Sequence, residues 1–216
     1  MHVEVPKSHS FKQFGGEYVM IVISIITALA LEHTVQSLHH RHLAHEAASR
    51  IDAEIQANVR ELDNVLKHNQ TEVARLEALA EKLRARLQER KDHPNGPAQT
   101  FDTKVGLSVR VPTLRREAWE VAVASQAASW MSQPQLERYS GLYANMRDVQ
   151  ALMASGSSNF LNGPAMMDVF SNYQIGDGDP KALYRTLRQM ISAYTGLDGN
   201  LEDLRKEMAK AAAEQH

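Results

Sequence analysis

Residues 18–31 read YVMIVISIITALAL, fourteen positions without a charge, an amide side chain or a proline. A helix with no polar face has to be apolar in its surroundings on every side. Further along the pattern changes. Val59, Leu62, Leu66, Asn69, Val73, Leu76, Ala80, Leu83 and Leu87 follow one another at alternating steps of three and four, the repeat of a coiled-coil seam. Nothing breaks a helix between the two patterns before KDHPNGP at residues 91–97. The apolar run is therefore expected to flow into one helix of unusual length, too long for a small core to cover.

A second seam lies near the carboxyl terminus, where Leu183, Leu187, Met190, Tyr194, Leu197, Leu201, Leu204 and Met208 repeat at four and three. Its helix is expected to open at Asp179-Pro180, a capping carboxylate followed by proline at the first helical position. Gly196 and Gly199 each weaken such a helix by about 1 kcal/mol relative to alanine, so a kink or break is expected there. Between the seams, LRREAWEVAVASQAASWM predicts a helix from about Pro112-Thr113. SQPQ at residues 132–135 gives a capping-box start to another, whose apolar stripe is Leu136, Tyr139, Tyr143, Met146, Val149 and Met153. Residues 154–180 read as loop-rich with a short helix at 164–170.

The predicted fold class is all-α: an amino-terminal transmembrane helix continuing into a long coiled-coil-like helix, packed with a small helical bundle. The boundaries are an irregular segment at 1–16, a membrane anchor at 17–35, a long charged heptad helix at 36–91, a connector at 92–112 with a short extended piece at 105–111, and a helical domain at 113–216. Its last helix, 180–212, is expected to pack on the long one. The seam residues Val59, Leu62, Leu66, Val73, Leu76, Leu83 and Leu87, with Trp119 and Trp130, are the candidate interaction residues. The long seam can pair between chains or with the terminal helix, and Asn69 can fix register in either arrangement.

Three readings of the apolar run compete. Fourteen residues span about 21 Å, short of roughly 30 Å of hydrocarbon, but extension from Phe14 to Val35 supplies the length. Glu17, Glu32 and His33 then lie near the ends, where side chains reach the interface. A signal peptide is the rival: Lys7 and Lys12 form a positive region and Ala28-Leu29-Ala30 imitates a cleavage site, although the helical pattern runs straight through it. A core helix fails because no other segment is apolar enough to surround the run. The expectation is an anchor in a bacterial inner membrane. Lys7 and Lys12 before the run balance Arg41 and Arg50 after it, and the nearness of Lys12 tips the amino terminus inside and the larger part into the periplasm.

Composition narrows the function classes. A net charge of −2, and ten basic against ten acidic residues from Glu32 to Lys91, leave no attraction for nucleic acid. With no cysteine there is neither a disulfide, a thiolate metal site nor a thiol nucleophile.

GEYVMIVISIITALAL resembles the anchor of a family of uncharacterised bacterial single-pass membrane proteins, in which Gly-Glu precedes an apolar run of the form Gly-Ile-Leu-Ile-Ala-Leu and a long charged helix follows. EAWEVAVASQAASWMSQPQLERYSGLY is similar to the later tryptophan helix and the leucine- and tyrosine-bearing segment of that family. This chain departs from it in Ser24, where the family tends to have glycine, and in the histidines after the anchor. The resemblance implies an anchor and its topology, and no catalytic residues.

HHRHLAHE is the one unusual local stretch. His39, His42 and His45 at steps of three, with Glu46 four beyond His42, can share a broad helical face and could bind zinc, copper or nickel. The same cluster could respond to pH near a lipid surface, or consist of ordinary polar residues on an exposed helix. Catalytic patterns are missing: there is no HExxH and no Gly-x-Ser-x-Gly. GDGDP at residues 176–180 lacks the distal glutamate of a calcium loop and reads as a turn and a helix cap. The expected function is that of a membrane-anchored interaction protein without catalytic activity or cofactor, whose partners are the lipid bilayer and a protein partner or a second copy, and not nucleic acid.

Overall fold

The computed structural model of the protein describes residues 11–92, 108, 110–159 and 163–214, and these are all-helical, with no strand among them. Five α-helices follow in order: α1 Phe11–Asp92, α2 Glu117–Ala124, α3 Gln133–Asn159, α4 Gly163–Gln174 and α5 Pro180–Ala213, with a 3₁₀ turn at Ala127–Trp130 between α2 and α3. The 82 residues of α1 make a rod of about 120 Å at the usual rise. It begins before Gly15 and Gly16, so residues 11–16 are helical where an irregular segment was expected. Two glycines cost a helix about 2 kcal/mol together, a sum that the following unbroken turns absorb.

The carboxyl-terminal helix lies antiparallel along α1, and the two seams pair with each other within the chain. Ala44, Ile51, Ile55, Leu62 and Leu66 of α1 share one core with Leu201, Leu204, Met208 and Ala211 of α5 and with Tyr139, Tyr143 and Met146 of α3. Leu76, Ala80 and Leu83 form a second core with Leu183, Leu187, Met190 and Tyr194 of α5 and with Met166 and Phe170 of α4. Val59 borders the first core, while Val73 and Leu87 border the second. Burying a Leu or Ile side chain stabilises by about 1.5–3 kcal/mol, and in these cores the pairing of two seams provides that burial.

Several local expectations are met and several corrected. Asp179 caps α5, its Oδ1 accepting from the Lys181 amide at 2.9 Å, with Pro180 at the first position. Before it, α4 ends in a Schellman arrangement: Gly176 has φ +86, its amide donates to the Tyr173 carbonyl, and the Asp177 amide donates to that of Asn172. GDGDP is thus a turn and a cap. Gln135 reaches back to the Ser132 amide at 3.3 Å. On the other hand, α5 continues through Gly196 and Gly199, because a long packed face on either side outweighs their local cost. Helix α3 runs on to Asn159 through ASGSSN, well into the expected loop. The first short helix starts at Glu117 rather than 113, because residues 110–116 lie extended along α1. The piece expected at 105–111 falls mostly outside the described residues.

Candidate membrane segment and docking face

Helix α1 is the one helix among the described residues long and apolar enough to cross a membrane; it lies near the amino terminus, and none of its apolar window is buried. Tyr18, Val19, Met20, Ile21, Ile23, Ile25, Ile26, Leu29 and Leu31 all stand outside the bundle, each more than half exposed. These positions point in every direction around the axis. The serine and threonine hydroxyls inside and beside the run are satisfied by their own helix: Ser24 donates to the Met20 carbonyl, Thr27 to Ile23 and Thr34 to Ala30, each at 2.8 Å. A hydroxyl bonded in this way presents little unpaired polarity to an apolar solvent.

The expected interaction residues separate into two groups. Leu62, Leu66, Leu76 and Leu83 are buried, and Val59, Val73 and Leu87 are half-buried against the same cores, so α5 of the same chain already covers the seam. These residues are core rather than a docking face. Trp119 joins them, half-buried against the first core and stacked on Tyr143 at 5.7 Å. Trp130 does not. It is 49% exposed and lies flat on the His40 ring, centroids 3.6 Å apart and planes 9° from parallel.

Within the described residues of the chain, the candidate metal ligands His39, His42, His45 and Glu46 do not converge. His39, His42 and His45 are exposed, and Glu46 is held by Arg50 at 2.6 Å. Among the described residues no three His, Asp or Glu side chains converge to hold a metal ion. Three imidazoles at steps of three spread over about 120° of the helix surface, and among the described residues no other element brings a ligand to them.

Sequence reasoning missed a polar stripe on α1 that grips residues 110–118. Asn58 accepts from the Arg115 amide through Oδ1 and donates to the Arg115 carbonyl through Nδ2, both at 2.8 Å. Asn69 repeats the motif on Arg110, at 3.0 Å and 3.1 Å, and Nδ2 also donates to Asp198 on α5 at 3.0 Å. A side-chain amide carries the same donor and acceptor as a peptide, so each asparagine acts as a one-residue neighbouring strand. Glu54 accepts from the Ala118 amide at 2.9 Å, at the start of α2, and from the Tyr143 hydroxyl at 2.6 Å. The one available signal was polarity at positions where the repeat asks for an apolar residue, and only Asn69 was read that way.

Burial sets the electrostatics of this stripe. Burial first, and then its hydrogen bond to Asp52, pushes Tyr139 up to about 12; burial, followed by the Glu54 carboxylate, raises Tyr143 further. Burial also raises Asp198, against the opposing hydrogen bond from Asn69. These groups tie α1 to α3 and α5. No family model matches the chain, and neither a curated protein nor a solved structure matches it.

Proposed function

We propose that the protein is a single-pass membrane protein of the bacterial inner membrane, acting as a scaffold, accessory subunit or assembly partner without chemistry of its own. The observation that carries this reading is the apolar segment of α1, exposed on all sides and continuous with a bundle whose own seams are satisfied. Leaving so large an apolar surface in water is unfavourable by roughly 25 cal/mol per Å². A bilayer removes it from water without a protein partner. The Gly-Glu-apolar arrangement of residues 16–31 supports the same location. Lys12, as the nearer positive charge, supports an inward amino terminus, with the bundle in the periplasm.

The test is alkaline carbonate extraction of membranes carrying the full-length chain, with the retained mass and amino terminus determined together. Full-size protein held in the membrane is expected. A soluble product beginning at Leu31 would mean a cleaved signal and a free helical bundle; a soluble full-length monomer would refute the reading. Replacing Ile23 or Ile25 by lysine should abolish retention, since a charge at mid-span costs about 3 kcal/mol on insertion scales.

A further inference from the structure

Among the described residues beyond α1, the chain returns towards the apolar segment at one place. In helix α2, Ala118 is bonded to Glu54, and Val121 and Ala122 with Ala127 line a groove against Leu43 and Ala47. The chain turns over at Gln126, in the left-handed region at φ 62, passes through the 3₁₀ turn and reaches Trp130 on His40. Helix α3 then climbs away again, Tyr139 reaching Asp52 and Tyr143 reaching Glu54. Residues 125–132 are therefore the tip of the bundle nearest the apolar run. From Val121 through Leu136 there is no Asp, Glu, Lys or Arg, although 23% of the chain is charged, and Glu120 and Glu137 bound the stretch.

We infer that this tip rests in the headgroup layer of the bilayer that α1 crosses, with Trp130 as its interfacial aromatic. The inference rests on the membrane reading above. His40 lies five residues past Val35, about 7.5 Å along the axis, and helical side chains lean towards the amino terminus, which brings the stacked indole closer still. The headgroup region adds roughly 5–7 Å on each side of the hydrocarbon, so the indole sits at its depth. Trp is favoured there because its ring is apolar and its N–H finds headgroup or water acceptors. An uncharged tip can approach without stripping water from an ion. Ser125, Gln126, Ser129, Ser132 and Gln133, all exposed, supply neutral polar contacts.

The chain holds two tryptophans, so Trp119→Phe leaves Trp130 as the sole indole reporter. The full-length variant is reconstituted in phosphatidylcholine vesicles carrying a nitroxide on the headgroup or, separately, at mid-acyl chain, and recorded near pH 8, where imidazole quenches indole weakly. Loss of most Trp130 emission with the headgroup label, and of little with the mid-chain label, is expected. If Trp119→Phe does not fold, the same quantity is read as the difference between the unaltered chain and Trp130→Phe. Protein that floats with the vesicles but keeps its Trp130 emission under the headgroup label overturns this inference alone. Protein that fails to float overturns the membrane reading and this inference with it.

Discussion

Replacing Asn58 by alanine removes both partners of the Arg115 peptide at once. Asn58 is 1% exposed, and its two 2.8 Å bonds are part-buried. A neutral hydrogen bond contributes about 1 kcal/mol net, whereas a buried partner left without one costs about 1–3 kcal/mol. One edge of Arg115 is near solvent, so water recovers part of this, and a loss of about 2–4 kcal/mol is expected. Asn58→Asp keeps the acceptor for the Arg115 amide but turns an oxygen towards the Arg115 carbonyl, and should cost at least as much. The assay is urea denaturation of the full chain carrying Trp130→Phe in detergent micelles, followed through the Trp119 emission, with hydrogen exchange over residues 110–118. In the unaltered chain the Arg115 amide should exchange slowly despite lying in no helix; in Asn58→Ala it should exchange at nearly the rate of an open loop. A stability change below about 0.5 kcal/mol with Arg115 still protected would refute the account of the asparagine as a substitute strand.

Two further predictions follow from the same structure. An alanine Cβ at Gly196 or Gly199 would meet nothing within 4 Å, so each Gly→Ala change should raise stability by about 0.5–1 kcal/mol; a lower denaturation midpoint would mean that α5 needs a glycine there. Burial pushes Tyr139 and Tyr194 up to about 12, whereas an unfolded tyrosine ionises near 10. The folded chain therefore holds the extra protons between roughly pH 10 and 12, and stability, intact below that window, falls as pH rises through it. Tyr194→Phe should flatten the fall, and a midpoint unchanged across that window would contradict the burial of these hydroxyls.

The main elements were legible because they are governed by local chemistry or by a long repeat. Apolar residues 18–31, the two seams and the Asp179-Pro180 cap each declare themselves within a few turns of helix. The matching repeats are enough to expect residues 180–212 on the long helix, but Leu62 and Leu201 look the same to a partner chain and to their own, so pairing between chains stayed open from sequence. Residues 110–116 stay extended because Asn58 and Asn69, some forty to sixty positions earlier, supply the hydrogen bonds a helix would otherwise make. No local propensity encodes that. The histidines are the converse case: spacing along one helix suggests ligands, but convergence on a metal needs a second element, and among the described residues of this chain none brings one. Trp119 and Trp130 look alike in sequence, yet one stacks within the core and the other stands at its edge.

Helix α1 passes from the apolar run into the first core without a proline or a glycine after Gly16. It behaves as a drive shaft, with the bundle keyed to it by Ala44, Ala48, Ile51 and Ile55. Each residue turns the shaft by about 100°. Inserting one alanine between Leu38 and His39, ahead of the His40–Trp130 stack, would swing the whole bundle by that angle about the axis and lift it by about 1.5 Å, leaving its internal packing untouched. A rotation of residues 18–31 about the axis is therefore carried by unbroken helix to the residues that pack on α3, α4 and α5.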